Sequence, residues 1–201
     1  MSEDFHLFLS GCMGLGLAAA CGFRVFLPFL CLGLASRFMG LGLDPALAWA
    51  GTTPALILFS VATAAEIAAY YIPVVDNILD SIAIPAATLA GILITATSLA
   101  GSDPMLKWSL AIIAGGGVSL TTQLLTTKVR ALSTGLTGGL ANPVFATFEW
   151  ITSILLTFLS ILLPLLALGV VLVLVLLFIW AVRFLLHRLS TRSSAPVSAP
   201  G

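Results

Sequence analysis

The chain has 201 residues, of which 60% are hydrophobic and 8% are charged, and its mean hydropathy is +1.17. This composition excludes an ordinary soluble domain and indicates an integral membrane protein. The formal net charge is zero, so electrostatics gives no support for a nucleic-acid partner.

Six apolar stretches are candidate membrane-spanning helices, because about 20 residues are enough to cross a bilayer core. They cover residues 7–34, 46–72, 82–100, 105–126, 144–163 and 165–186. The last two form one nearly unbroken run that is too long for a single span, so we expect the chain to fold back near Pro164. One long kinked helix is the alternative. The predicted fold class is an all-α integral membrane protein with about six transmembrane helices.

The domain organisation predicted from these stretches is simple. Residues 1–189 form one polytopic transmembrane domain, and residues 190–201, which are small, polar and proline-containing, form a disordered cytoplasmic tail. Each half of the domain has three spans, which permits two inverted three-helix halves. A broken or re-entrant segment is expected near Pro28, where proline weakens a helix. Residues 135–143, rich in glycine and threonine, are interpreted as a cytoplasmic loop or a short re-entrant turn.

Three features of the apolar stretches indicate close packing. The cysteines Cys12, Cys21 and Cys31 have spacings that match no metal-ligand pattern, so we interpret them as packing residues. Glycines at 115–117 predict a close helix crossing. The polar run at residues 121–123, Thr-Thr-Gln, predicts hydrogen bonds between helices or the lining of a polar path.

The placement of basic residues predicts the orientation in the membrane. Arg183, Arg188 and Arg192 favour a cytoplasmic C-terminus, because basic residues near span ends prefer that side. With six spans the N-terminus would be cytoplasmic too, as would the loop that carries Lys128 and Arg130.

Arg24 and Glu66 are ionisable residues inside apolar stretches. Each costs about 2.5 to 3.5 kcal/mol on insertion scales and therefore needs a partner, an aqueous cavity or a route to the interface. Glu66 is followed by Tyr70, which suits the membrane interface. Arg24 lies between Gly22 and Pro28, where a helix break or a carboxylate on another helix can accommodate it. A structural role and a ligand-facing role are both open for Arg24.

Asp76 and Asp80 follow Glu66 and are neighbours if residues 74–81 are helical. The functional interpretation is a cation or proton site, or an anchor for Lys128 and Arg130. The alternative is a solvated loop and a helix start, where aspartate is favoured. We expect Glu66, both aspartates, Lys128, Arg130 and Glu149 to approach one face of the membrane.

Three segments carry a resemblance to a known family: "GLAAACGFRVFLPFL", "AEIAAYYIPVVDNILDSIAIP" and "KVRALSTGLTGGLANPVFATFEW". The chain resembles the bacterial membrane family catalogued as domain of unknown function 4126, over about residues 11 to 185. The resemblance implies a bacterial inner (plasma) membrane location and supplies no activity. The ion- or substrate-binding set that matches it comprises Arg24, Glu66, Tyr70, Asp76, Asp80, Lys128, Arg130, Asn142 and Glu149.

The sequence departs from this family at two places. Members often have a histidine before the segment that holds Lys128 and an aspartate after the final glutamate. This chain has threonine and glutamine residues upstream, and Trp150 follows Glu149. A role that requires the histidine or the second acid is therefore not expected here.

Three functions are compatible with the pattern. The first is a transporter or channel for a small ion or solute, and the second is a noncatalytic assembly or scaffold protein in which the charges lock helices together. The third, a membrane enzyme acting on a lipid-linked substrate, has little support because His6 and His187 lie at the chain ends. We expect no enzymatic activity, cofactor or metal; the expected partners are the lipid bilayer and a small ion or solute, and a homo-oligomer is left open.

Overall fold

The computed structural model describes residues 3–40, 45, 47–70 and 73–193, with side-chain surroundings omitted for residues 70, 73–80, 181–182 and 184–193. Regular structure in these ranges is entirely helical. The α-helices are α1 (Glu3–Phe23), α2 (Leu27–Met39), α3 (Thr53–Tyr70), α4 (Pro73–Ser98), α5 (Pro104–Leu110), α6 (Gly117–Thr137), α7 (Asn142–Leu162) and α8 (Pro164–Ser193). A short 3-10 helix, Ala48–Gly51, precedes α3, and a π-helical segment, Ala111–Gly116, joins α5 to α6.

Four helical segments in the described ranges are long and apolar enough to cross a membrane. They are Glu3–Phe23, Ser81–Ser98, Pro104–Thr137 and Asn142–Leu162. Shorter apolar helices cover Leu27–Met39, Thr53–Ala69 and Pro164–Trp180. The all-α class is confirmed and the lengths indicate a membrane protein, while the predicted count of six spans is not confirmed.

The first apolar stretch is two helices and not one. The helix α1 ends at Phe23, and α2 begins at Leu27 with Pro28 in its first turn. Proline suits this position because its missing N–H would have no partner there in any case. The break expected near Pro28 is therefore present, inside the apolar stretch over residues 7–34.

Helix α1 lies at the centre of the bundle, and its glycines allow three other helices to approach closely. A Cβ added to Gly14 would lie 3.1 Å from the Cβ of Ser98 on α4. A Cβ added to Gly22 would lie 2.5 Å from the backbone oxygen of Ser119 on α6, and one on Gly16 would clash with Ser160 on α7. Small residues at helix contacts in membranes permit this spacing.

The contacts of α4 set the directions of α1 and α6. Thr95 donates a hydrogen bond to the backbone oxygen of Gly14, at 3.2 Å, and a Cβ on Gly115 would clash with the same threonine. Ser119 donates to the backbone oxygen of Ala87, at 2.5 Å, and lies beside Gly22. Helix α4 is therefore antiparallel to both α1 and α6, and α1 and α6 run in the same direction. Inverted halves would require α1 and α6 to run in opposite directions, so that expectation is wrong.

Helices α7 and α8 form a hairpin. Ser153 donates to the backbone oxygen of Ala20, at 2.9 Å, while Ser160 lies beside Gly16, so α7 is antiparallel to α1. Ala167 of α8 also lies beside Gly16, because a Cβ there would be 3.0 Å from the Cβ of Ala167. Further along α8, Val171 belongs to the same buried cluster as Ala20. The fold-back expected near Pro164 is present, and α8 runs parallel to α1.

The chain ends follow from these directions. Since α1 and α8 are parallel, the start of α1 and the end of α8 lie at opposite ends of the bundle. This arrangement does not agree with two cytoplasmic termini, which required an even number of spans. Helix α8 continues to Ser193, so residues 190–193 of the predicted tail are helical. Residues 194–201 lie outside the described part of the chain.

The glycine-rich segment over residues 135–143 is mostly helix and a tight turn. Helix α6 runs to Thr137, and α7 begins at Asn142. Gly138 and Gly139 have φ values of 63° and 88°, in the left-handed region that glycine adopts without steric cost. The segment is therefore a short connection between two helices, and its turn covers only residues 138–141.

Candidate functional site

Four buried ionisable side chains meet at the end of the bundle where α1 stops. Among the residues whose side chains are described, Arg24, Glu66, Arg130 and Glu149 are the buried charged residues, each at most 9% exposed. They come from the break after α1 and from α3, α6 and α7. We call these four residues the charge cluster, and the end of the bundle that holds them the charged end. With two acids and two bases, the cluster has no formal net charge.

Glu149 is the centre of the charge cluster. One carboxylate oxygen, Oε2, lies 2.8 Å from Nη2 of Arg24, and the other, Oε1, lies 3.3 Å from Nε of Arg130. The same Arg24 nitrogen also donates to the backbone oxygen of Ala146, one turn earlier on α7, at 3.2 Å. Burial weakens the solvation of all three charges, so each depends on the others for compensation.

Glu66 caps the first turn of α2 from a different helix. Its Oε1 accepts a hydrogen bond from the backbone N–H of Val25 at 3.1 Å, and its Oε2 accepts one from Phe26 at 3.5 Å. The start of a helix has N–H groups without intrahelical partners and a partial positive charge, so a carboxylate is favoured there. Arg24 and Arg130 also interact electrostatically with Glu66. Glu66 therefore fixes the break and belongs to the charge cluster.

The buried face of α6 is entirely polar. Its buried residues repeat every three or four positions and therefore share one side of the helix: Ser119, Thr122, Gln123, Thr126, Arg130 and Ser133. The facing helix α7 buries Glu149, Ser153, Thr157 and Ser160. Several hydroxyls donate to backbone oxygens of their own helix, such as Thr157 to Ser153 at 2.7 Å. Their oxygen lone pairs remain available to accept hydrogen bonds.

Sequence reasoning found only part of this polar face. It selected residues 121–123, of which Thr122 and Gln123 are buried, but it missed Ser119, Thr126 and Ser133. The signal was present as a polar repeat at helical spacing, and it extends into α7 as Ser153, Thr157 and Ser160. Hydropathy alone hides this repeat, because the apolar residues between its members dominate the average.

The structure brings together four of the nine predicted site residues, and it places two others elsewhere. Asn142 is buried, and its Nδ2 donates to Oγ1 of Thr134 at 2.9 Å, which ties the start of α7 to the last turns of α6. The side chain of Lys128 is exposed on α6, outside the buried polar face. Lys128 is therefore not one of the buried charges, and its role in binding stays a prediction.

The three remaining site residues are described only in their backbones. Asp76 and Asp80 lie one turn apart in α4, so the helical condition for their proximity is met. Tyr70 is the last residue of α3. Their side chains lie outside the part of the structure that is described, and their roles stay predictions.

The donor set of the charge cluster suits ion pairing rather than metal binding. Among the described residues, no group of three or more histidine, cysteine, aspartate or glutamate side chains is placed to hold a metal ion. The two oxygens of Glu149 face arginines, which are positively charged. Cys12, Cys21 and Cys31 are buried free cysteines, in agreement with their interpretation as packing residues.

A narrow groove between α6 and α7 reaches the charge cluster from the side. It has a volume of about 170 Å³ and is lined by Glu149 and by largely apolar neighbours that include Phe23, Val129 and Phe148. Phe148 is strongly exposed on the outer surface of the bundle. The groove therefore connects the outside of the bundle with the carboxylate that both arginines share.

Comparison with known proteins gives one family. The model of the family described as Domain of unknown function (DUF4126) matches residues 12–184. Neither the curated proteins nor the solved structures contain a match to the chain.

Proposed function

The chain belongs to the DUF4126 family, whose description assigns no activity, and we propose from the geometry that it is a noncatalytic transporter or channel for a small ion or solute. In this proposal the charge cluster is the polar site within the membrane. A solute that enters the bundle interacts there with Arg24, Arg130 and Glu149.

The observation that carries the proposal is the polar interior that ends at the charge cluster. Every residue that α6 buries has a polar side chain, while its outer surface carries exposed leucines such as Leu132 and Leu136. Small hydroxyl side chains such as Ser119 are common where membrane helices pack closely, but the longer Gln123 and the charged Arg130 are not explained by close packing alone. Buried ionisable residues in membrane segments commonly mark solute or ion pathways.

The charge cluster offers two ways to recognise a solute. A small anion can compete with Glu149 for the guanidinium groups of Arg24 and Arg130. A cation can compete with the arginines for the Glu149 carboxylate. The break between α1 and α2 places non-helical backbone next to these charges. Membrane proteins tolerate such backbone where other parts of the protein cover it or where it lines a cavity.

We further propose that the shorter apolar helices α2, α3 and α8 lie in the membrane together with the four long ones. The charged end then faces the cytoplasm of a bacterial inner membrane, because Lys128, Arg183 and Arg188 lie towards that end. With α1 and α8 parallel, the N-terminus lies on the opposite, outer side. A reporter enzyme or a labelling cysteine at each terminus tests this orientation directly. Homo-oligomerisation stays a prediction.

Flux through reconstituted protein tests the proposed function. Proteoliposomes that contain a pH-sensitive dye are exposed directly to gradients of H⁺ and acetate. They are exposed to gradients of K⁺, Na⁺ and chloride in the presence of a protonophore, so that compensating H⁺ movement reports the flux. We expect protein-dependent flux for at least one of these probes, and its loss in Glu149→Gln. The matched control is Glu3→Gln, the same chemical change at an exposed residue at the other end of α1. Unchanged flux in Glu149→Gln, with the protein still folded, would contradict the proposal.

An assembly or scaffold role is the second candidate, and one observation favours it. The contacts described above join the charge cluster to other protein groups: Glu149 to two arginines, and Glu66 to the backbone of residues 25 and 26. If the charges only lock helices together, no probe gives protein-dependent flux, and the double variant Arg24→Gln with Glu149→Gln lowers only the unfolding temperature. A folded double variant that has lost flux supports transport.

A further inference from the structure

A cavity of about 440 Å³ lies between α2, α3 and α4, beside the break that follows α1. Nearly all of its lining is apolar: Val25, Phe26, Phe29, Trp49, Phe59, Ala86, Leu89, Ala90 and Leu93, with Thr97 as the polar member. This volume lies within the range of roughly 300 to 1,000 Å³ that is common for small-molecule sites.

Three aromatic rings make one wall of the cavity rigid. The ring centroids of Phe29 and Phe59 are 5.3 Å apart, and Trp49 lies 6.1 Å from Phe29 and 5.8 Å from Phe59. Aromatic contacts at these separations are favourable and hold the side chains in place. The wall therefore presents a fixed apolar surface to an occupant and does not depend on mobile chains.

The cavity ends at a site that already holds a carboxylate. Val25 and Phe26 line the cavity, and their backbone N–H groups are the two donors that bind the Glu66 carboxylate. These donors stand at the start of α2, a helix of 13 residues, where the helix dipole favours an anion. Arg24 precedes them and adds positive charge.

A hydroxyl beside this site has no hydrogen-bond partner in the described structure. Thr63 is only 5% exposed, and its Oγ1 has no partner among the residues described. It lies on α3 between Phe59, whose ring stacks on Phe29 of α2, and Glu66, which caps α2. Thr63 therefore faces the first turns of α2, where its hydroxyl can donate to a bound anion.

We propose that the cavity and the start of α2 form a binding site for an amphiphilic monocarboxylate. The apolar body occupies the cavity, and the carboxylate binds the N–H groups of Val25 and Phe26 in place of the Glu66 side chain. The Thr63 hydroxyl donates to the same carboxylate. This proposal gives the chemical class of the solute, and it rests on the proposed function only for the step of transport. Binding to the cavity and flux through the protein are measured in separate experiments.

A free carboxylate fits the site better than a membrane phospholipid. Two backbone donors and one hydroxyl match the two oxygens of one carboxylate, which is the group that Glu66 already places there. One cavity with an apolar lining suits a single chain or ring system. A phospholipid would bring two acyl chains and a larger headgroup.

Fluorescence of Trp49 tests the proposal. In a variant with Trp108→Phe, Trp150→Phe and Trp180→Phe, Trp49 is the single tryptophan and lies on the cavity wall. The protein is placed in lipid nanodiscs and titrated with 11-bromoundecanoate, whose bromine quenches fluorescence. The control is 11-bromoundecanol, which has the same chain without the charge. We expect saturable quenching by the carboxylate only.

Two further variants make the result specific. Glu66→Gln removes the competing negative charge and should tighten carboxylate binding about tenfold, equivalent to about 1.4 kcal/mol. Ala90→Leu fills the cavity and should abolish the saturable quenching. The matched control for the latter is Ala64→Leu, which adds the same atoms at an exposed position on α3.

Three outcomes would overturn the proposal. They are equal quenching by the alcohol and the carboxylate, no difference between Ala90→Leu and Ala64→Leu, and saturable quenching by brominated phosphatidylglycerol that undecanoate does not displace. The last outcome would make the cavity a groove for membrane lipid. Saturable carboxylate binding in a protein without flux would keep this proposal and reject the proposed function.

Discussion

Helix α1 has two sides that are packed in opposite ways. Towards α4, its Leu17, Ala18 and Cys21 share an apolar core with Ala87 and Ile94. Towards α6 and α7, it meets the charge cluster and the hydroxyl groups of Ser119, Ser153 and Ser160, beside a smaller apolar cluster that includes Leu156. We call these the apolar side and the polar side of α1.

The difference between the two sides of α1 shows where packing alone is enough to hold the helices together. The apolar side is filled mainly by apolar side chains, and its two buried hydroxyls, Thr95 and Ser98, donate to the backbone oxygens of Gly14 and Ile94. Dispersion and close fit therefore hold most of this side. The polar side repeats groups that need partners when they are buried, and it ends in charges that are costly to bury. The polar side is therefore the place to look for function, and substitutions on the two sides should behave differently.

The largest effect is expected at the centre of the charge cluster. Glu149→Leu leaves Arg24 and Arg130 buried close together without the shared carboxylate, and should destabilise the protein by about 3 to 5 kcal/mol. Thermal unfolding in detergent, followed by size-exclusion chromatography, measures this loss. If Glu149→Leu unfolds at the same temperature as the original protein, the ion pairs are not needed for stability.

A smaller loss is expected where α1 meets α6. In Gly22→Ala, the added methyl group meets the backbone of Ser119, so the helices must separate, at a cost of about 1 to 3 kcal/mol. The control is Gly117→Ala, because a Cβ there has no neighbour within 4 Å. The same unfolding measurement should show a loss for Gly22→Ala only. Equal behaviour of the two variants would mean that the bundle tolerates a wider spacing at α1.

The apolar side should respond as an ordinary core. Ile94 is fully buried, and Ile94→Val removes one methyl group and should cost about 1 kcal/mol. Flux in proteoliposomes should stay unchanged, because Ile94 faces the apolar side. A loss of flux in a stable Ile94→Val protein would show that the apolar side also takes part in transport.

The smallest effect on stability, and the sharpest test of the comparison, is expected at Thr157. Thr157→Val keeps the shape of the side chain and removes the hydroxyl that donates to the backbone oxygen of Ser153. Loss of this hydrogen bond should change the free energy of unfolding by less than about 0.5 kcal/mol. If the polar side carries a solute, the flux should fall although the fold is intact. Normal flux would assign the hydroxyl to helix packing alone.

The sequence predicts the meeting of the charges better than it predicts the fold. Arg24, Glu66, Arg130 and Glu149 are costly in an apolar chain, and this cost alone favours their convergence. Lys128 was grouped with Arg130 because the two are close in sequence. Residues two positions apart lie on different sides of a helix, however, and this spacing excludes Lys128 from the buried face.

The helix count and the helix directions could not be read from hydropathy. The stretch over residues 7–34 is apolar throughout, and Pro28 signals a break without giving the path of the chain after it. What fixes the break is Glu66, through hydrogen bonds to the backbone of residues 25 and 26, about 40 positions earlier in the chain. The directions of the helices depend on such distant contacts, which the sequence does not show. For this reason the prediction of two inverted halves was wrong.

The central position of α1 has a consequence for how the protein is made. Gly16 is synthesised more than 140 residues before its neighbours Ser160 and Ala167. During insertion, therefore, one flank of α1 remains against lipid or the insertion machinery until the α7–α8 hairpin emerges. Assembly of this bundle is completed around a helix that was made much earlier, so truncation within α8 should harm α1 most, although nearly 150 residues separate the two in the chain.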